Sequence, residues 1–248
     1  SDYNNNPITV TFANGDTAPK TISIPITNDT LVEGTETINL TLTSPTGGAT
    51  IGNQSTAFVA IVDDDTQLNF STGNYTVRED GTAVTDIIVT RTGRATGAVS
   101  ATITFTDGTA TGCACGASSV NNDFHNVAFV VTLADGETSK VIPVELASLG
   151  GTNAIRIRND VKVEGDESFT INLTNPTGGA TIGNQGSASV KILDDDVALD
   201  FSAANFSIRE NGEAVTAVTV TRTGRLTGVV GATINLTDGT ATAASDYN

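Results

Sequence analysis

A chain of 248 residues suits one or two ordinary domains, and its 38% apolar content, rich in Thr, Val, Ile and Gly, is that of a folded β-protein. A net charge of −16 excludes a nucleic-acid footprint and docking on an anionic membrane, and suits divalent cations as neutralising partners. No apolar run is long enough to cross a bilayer, which argues against membrane insertion.

The elements read as strands, with apolar residues recurring at period two and no convincing helical period. The first are Ile8/Val10/Phe12, Ile22/Ile24/Ile26, Ile38/Leu40/Leu42 and Val59/Ile61, the last closed by Asp63-Asp64-Asp65. A fuller set follows: A at 75–78, B at 84–92, C at 99–105, D at 127–133, E at 140–146, F through Phe169, Ile171 and Leu173, and G through Val190 and Ile192. Strand G closes on Asp194-Asp195-Asp196, 131 residues after the first acidic run. The same offset carries Thr46-Gly47-Gly48-Ala49 to Thr177, Thr90-Arg91-Thr92-Gly93-Arg94 to Thr221, and Asp107-Gly108-Thr109-Ala110 to Asp238. The chain therefore reads as a tandem array: residues 1–66 the second half of a module, 67–197 a complete module, 198–248 the first half of another. Seven short antiparallel strands per module predict a two-sheet sandwich.

Parity locates the acids. If A runs up, so do C, E and G, and their far ends share one rim. Glu79, Asp107, Asp160, Glu164, Glu167, Asp194, Asp195 and Asp196 all fall there. So many carboxylates repel one another unless cations join them, and oxygen-only donors select Ca²⁺ over zinc or copper. Mg²⁺ suits the rim less, because it prefers a small octahedron and keeps its waters. A solvated acidic loop end without a ligand is the competing reading. Cys113 and Cys115 form one Cys-Ala-Cys, for which a local pair, an intermolecular disulfide and a metal site with His125 all stay open.

In these segments the chain resembles the Calx-beta domain family. The match runs through Tyr75-x-Val77-x-Glu79, Arg91-x-Gly93, Asp107-Gly108-Thr109-Ala110, Asn159-Asp160-x3-Glu164-Gly165-Asp166-Glu167 and Asp194-Asp195-Asp196, with Asp2-Tyr3 and Ser245-Asp246-Tyr247 in the flanking modules. The resemblance implies an immunoglobulin-like antiparallel β-sandwich of the kind found in sodium–calcium exchangers, an integrin β subunit and large bacterial surface proteins. Carried over by position, its Ca²⁺ ligands fall on Glu79, Asp107, Asp160, Glu164, Glu167, Asp194, Asp195 and Asp196. In the first module they fall on Asp29, Glu33, Glu36, Asp63, Asp64 and Asp65, and in the third on Glu210 and Asp238. Asn159 and Asn28 stand where a strong binder often has another Asp, which lowers ligand charge and expected affinity.

Two short linkers, 65–68 and 196–199, predict that each acidic rim meets the next module, with Arg91 and Arg94 approaching one acidic run and Arg222 and Arg225 the other. The absence of Met marks an internal or processed piece, and the two half-modules predict head-to-tail assembly by strand complementation. The expected function is a Ca²⁺-binding structural or adhesive repeat of an extracellular or cell-surface protein, with neighbouring modules, further copies and a cell-surface or matrix protein as partners. The alternative is a calcium-independent filament or interaction scaffold. An enzyme is not expected: the acids would suffice for a glycosidase pair, but Trp is absent and there is one His.

Overall fold

The computed structural model describes residues 2–114, 122–147, 153–209, 211–213, 216–243 and 245–246. Near its start, β1 (Glu36–Thr41) pairs antiparallel with β2 (Thr56–Ile61). The middle holds β3 (Thr66–Phe70), β4 (Asn74–Arg78), β5 (Ile87–Gly93), β6 (Val99–Thr106), β7 (Gly112–Cys113), β8 (Phe124–His125) and β9 (Phe129–Leu133). It continues with β10 (Ser139–Ile142), β11 (Val144–Leu146), β12 (Ile155–Ile157), β13 (Glu167–Thr177), β14 (Ala180–Ile182) and β15 (Ser187–Leu193). Last come β16 (Val197–Phe201) and β17 (Val220–Gly224), an antiparallel pair. The described residues contain no helix.

Two sheets carry the middle module, one ordered β10-β5-β3-β14 and the other β4-β15-β13-β6-β9. Period-two alternation turns Leu68, Phe70, Ile87 and Val89 of the first inward against Val99, Ile103, Phe169, Ile171 and Val190 of the second. Each such side chain, fully buried, contributes roughly 1.5–3 kcal/mol. Tyr75 sits in the same core, and its hydroxyl donates to the Ile88 carbonyl (3.2 Å), so the buried phenol keeps a partner.

The structure corrects four expectations. Residues 66–68 and 197–199 are not linkers: they open β3 and β16, with Thr66 and Leu68 buried, so the acidic runs join the next module without a spacer. The strand expected at 140–146 is broken at Pro143, which has no N–H to donate; β10 pairs with β5, while β11 pairs in parallel with β12. That second pairing belongs to a small sheet, β11-β12-β8-β7, at the acidic end, which the period-two reading did not contain. Residues 8–12 and 22–26 form no strand beyond a single Tyr3–Ile26 bridge, and Ile8, Val10, Phe12, Ile22 and Ile26 are exposed. The residues around Phe206 and Ile234 are likewise irregular, with Ile208, Ile234 and Leu236 exposed. Among the described residues of these flanking segments, no second sheet covers the exposed alternating side chains.

Candidate metal centre

Strand register brings the acids together. β4 runs parallel to β15 with Arg78 opposite Leu193, so Glu79 and Asp194 emerge side by side, and the Glu79 N–H donates to the Leu193 carbonyl (3.1 Å). β13 runs antiparallel to β15 with Glu167 opposite Ile192, which adds a third strand end. Asp123 arrives just before β8, anchored by fully buried Phe124, whose ring stacks on Phe169 with centroids 4.1 Å apart.

Two groups of three carboxylates result: Glu79, Asp194 and Asp196, and Asp123, Glu164 and Glu167. Within each, one oxygen per residue lies within 4.8 Å of the others. Five of the six, all but Asp196, line one small open cleft together with Arg158. Backbone N–H groups hold the walls in place. Asp194 Oδ2 accepts from Glu164 N (3.1 Å) and Gly165 N (2.8 Å), its Oδ1 accepts from Asp196 N (2.9 Å), and Glu79 Oε1 accepts from Asp160 N (2.9 Å). Asp196 Oδ2, by contrast, is buried without a hydrogen-bond partner.

The electrostatic cost is concentrated in these groups. Burial, and then the charges of Asp196, Asp160 and Asp194, push Glu79 up to about 7, against the opposing hydrogen bond from Asp160. Burial, the charge of Asp123 and a hydrogen bond with it push Glu167 up to about 7. Asp196 is raised by burial and by Asp194, Asp195 and Asp160. The fold holds these carboxylates closer than their charges favour, so the rim takes up protons or a cation. An all-carboxylate donor set and an orphaned buried oxygen fit a hard divalent cation.

The first module repeats the arrangement. Asp2, Glu33 and Glu36 form the equivalent triad, with Glu36 raised chiefly by its hydrogen bond to Asp2. Asp63 Oδ2 accepts from Glu33 N (2.7 Å), Asp63 Oδ1 accepts from Asp65 N (2.9 Å), and Asp65 is raised by burial and by Asp63, Asp64 and Asp29.

Not every expected ligand joins these groups. Asp107 Oδ1 accepts from Gly112 N (3.0 Å) and Asp238 Oδ1 from Ala243 N (2.8 Å), so the Asp-Gly-Thr-Ala motif staples its own turn. Asp160 and Asp29 cap their loops through Lys162 N (2.7 Å) and Leu31 N (2.8 Å). Asp195 and Asp64 stand outside the triads, Asp64 lying 4.0 Å from the Arg94 guanidinium. Glu210 lies outside the described residues. Sequence reasoning left Asp123 and Asp2 out of the ligand set. The signal was an acid followed by an aromatic at one repeat position, Asp2-Tyr3, Asp123-Phe124 and Asp246-Tyr247. Thr111 N–H (2.6 Å) and Thr242 N–H (2.8 Å) donate to Asp123 and Asp246 in the same way.

The zinc reading at Cys113 and His125 is overturned, because Cys113 is disulfide-bonded and its sulfur is no longer a thiolate donor. Cys115 lies outside the described residues. Burial and the charges of Arg156 and Arg158 lower the His125 pKa.

At each joint the acidic run docks on the hairpin of the next module. Arg94 N donates to the Asp65 carbonyl and Arg225 N to the Asp196 carbonyl, both at 2.8 Å. Gly93 (φ 82°) and Gly224 (φ 83°) make the approach possible, since a Cβ would stand 2.4 Å from Asp65 O and 2.3 Å from Asp196 O. The same Cβ positions lie 2.9 Å from Val32 Cγ1 and 3.0 Å from Val163 Cγ1, so the valine preceding each loop glutamate packs on the next module. Arg91 and Arg222 do not reach the acids as expected. They cap carbonyls of their own loops, Arg91 at Arg94, Gly97 and Thr96 (2.8–2.9 Å) and Arg222 at Gly228 and Thr227 (3.1 Å).

These features define a tandem β-sandwich protein with an acidic rim at each module joint. The chain belongs to the Calx-beta domain family, which matches it at residues 1–65, 63–196 and 194–248. It is 26% identical over 227 residues to adhesion G-protein coupled receptor V1 of Danio rerio, a match covering 87% of this chain and 3% of the receptor's length. Among solved structures it is similar to the apo-form Calx CBD1 domain (26% identity, 53% of this chain, 98% of that chain, TM-score 0.40). It is also similar to the calcium-binding domain CBD12 of CALX1.1 (28% identity, 58% of this chain, 51% of that chain, TM-score 0.41).

Proposed function

We propose that this chain is a Ca²⁺-binding structural and adhesive repeat of an extracellular or cell-surface protein, without enzymatic activity. The observation that carries the reading is the pair of triads Glu79/Asp194/Asp196 and Asp123/Glu164/Glu167, with Asp196 Oδ2 buried and unpartnered. A Ca²⁺ ion there supplies the positive charge that otherwise comes from protons. The disulfide at Cys113 suits an oxidising compartment. The relative in Danio rerio, named as an adhesion receptor, supports an adhesive setting and a surface or matrix partner.

Calcium also stiffens the joints in this reading. Val163 adjoins Glu164 and packs on Gly224, so ordering the loop orders the contact with the next module. The exposed apolar faces of the two half-modules suit neighbouring modules or further copies placed head to tail. Calorimetric titration of the chelated chain with CaCl₂, with scattering and limited proteolysis in parallel, tests the proposal. Saturable binding that shortens the flexibility range and slows cleavage supports it. No heat of binding, with identical scattering and digestion, leaves the calcium-independent scaffold.

A further inference from the structure

The two described rims share a backbone plan but differ in cations. Thr27 N donates to the Asp2 carbonyl (2.7 Å) as Arg158 N donates to the Asp123 carbonyl (2.9 Å), and the Tyr3–Ile26 bridge matches the Phe124–Ile157 pairing. Thr27 and Arg158 therefore occupy one position, as do Leu31 and Lys162, each pair 131 residues apart. In the middle module the Lys162 ammonium is ion-paired with Glu164, a member of the triad, and Arg158 lines the cavity. In the first module none of the described residues lining the cavity around Asp2, Glu33 and Glu36 has a basic side chain.

Resting on the calcium reading above, we propose that Lys162, supported by Arg158, is a tethered competitor for the cation that sets the two rims to different calcium affinities. Bound to Glu164, the ammonium occupies a carboxylate the metal needs, and it lowers the local negative charge that draws a divalent ion in. The first module, with Leu31 and Thr27, sets no side-chain cation against its triad among the described residues. An array built this way fills rim by rim as calcium rises. Lys162 is largely exposed, so its replacement does not disturb the core.

The experiment is a calcium titration of the full chain by calorimetry at low ionic strength, on wild type, Lys162→Leu and Leu31→Lys. Wild type is expected to show a tighter and a weaker class of sites. Lys162→Leu should tighten the weaker class by about tenfold and leave the tighter one in place, and Leu31→Lys should weaken the tighter class by a similar factor. Added NaCl should shrink both effects by screening. Calcium binding with constants unmoved by either substitution overturns the competitor role and leaves the metal site standing. No calcium binding in any of the three overturns the metal site itself, and the competitor role with it.

Discussion

Replacing Glu79 by Gln isolates the electrostatic cost of the rim. Glu79 is buried, and its pKa rises from 4.5 to about 7. A carboxyl raised in the fold binds its proton more tightly there than in the unfolded chain. Its contribution is therefore present at low pH and is lost as pH climbs from about 4.5 to about 7. A rise of that size is worth roughly 3 kcal/mol, and water reaching the rim reduces it to about 1–2 kcal/mol. Gln keeps the Oε1 that accepts from Asp160 N and removes the charge. In chelator at about pH 8, Glu79→Gln should melt about 3–8 °C above wild type, with the gap closing near pH 5. With calcium the order should reverse, because wild type gains a bound ion and the variant loses a ligand. Thermal unfolding at the two pH values, with and without calcium, measures all four states. A variant less stable than wild type in chelator at pH 8 would refute the reasoning.

Asp123→Asn removes the charge that helps raise Glu167; calcium binding should weaken at least tenfold by calorimetry, and the Glu167 carboxyl should titrate lower by NMR. Gly93→Ala places a methyl 2.4 Å from the Asp65 carbonyl at a left-handed φ, a cost of about 2–4 kcal/mol at the joint; protease should then cut between the first and middle modules at rates that calcium no longer suppresses. Arg91→Leu removes three hydrogen bonds made by a buried guanidinium, leaving the Arg94 carbonyl to Thr66 Oγ1 and the exposed Thr96 and Gly97 carbonyls to water, and denaturant melts should show a loss of about 1–3 kcal/mol.

The sheets were legible because burial on one face enforces period two: Val99, Ala101 and Ile103 announce β6 without any partner being known. The acidic rim was legible for a topological reason, since alternation of direction sends Glu79, Glu167 and Asp194 to one end whatever the loops do. Strand partners were not legible. Pro143 diverts β11 into a small sheet of short strands, β11-β12-β8-β7, too brief for a period-two pattern to reveal, and Thr66 and Leu68 passed for linker because β3 begins directly after Asp65. Asp107 was expected as a ligand and Asp123 was not, although both lie at the rim. Which one staples a turn and which faces the cavity depends on Gly112 and on the Phe124 anchor rather than on spacing.

The most direct test is a crystal structure of the chain grown with calcium, with anomalous scattering to identify the ion. The account predicts Ca²⁺ bound by Glu79, Asp194 and Asp196 and by Asp123, Glu164 and Glu167, with the Asp196 Oδ2 engaged. A rim that stays metal-free at saturating calcium, with Lys162 still paired to Glu164, would contradict it.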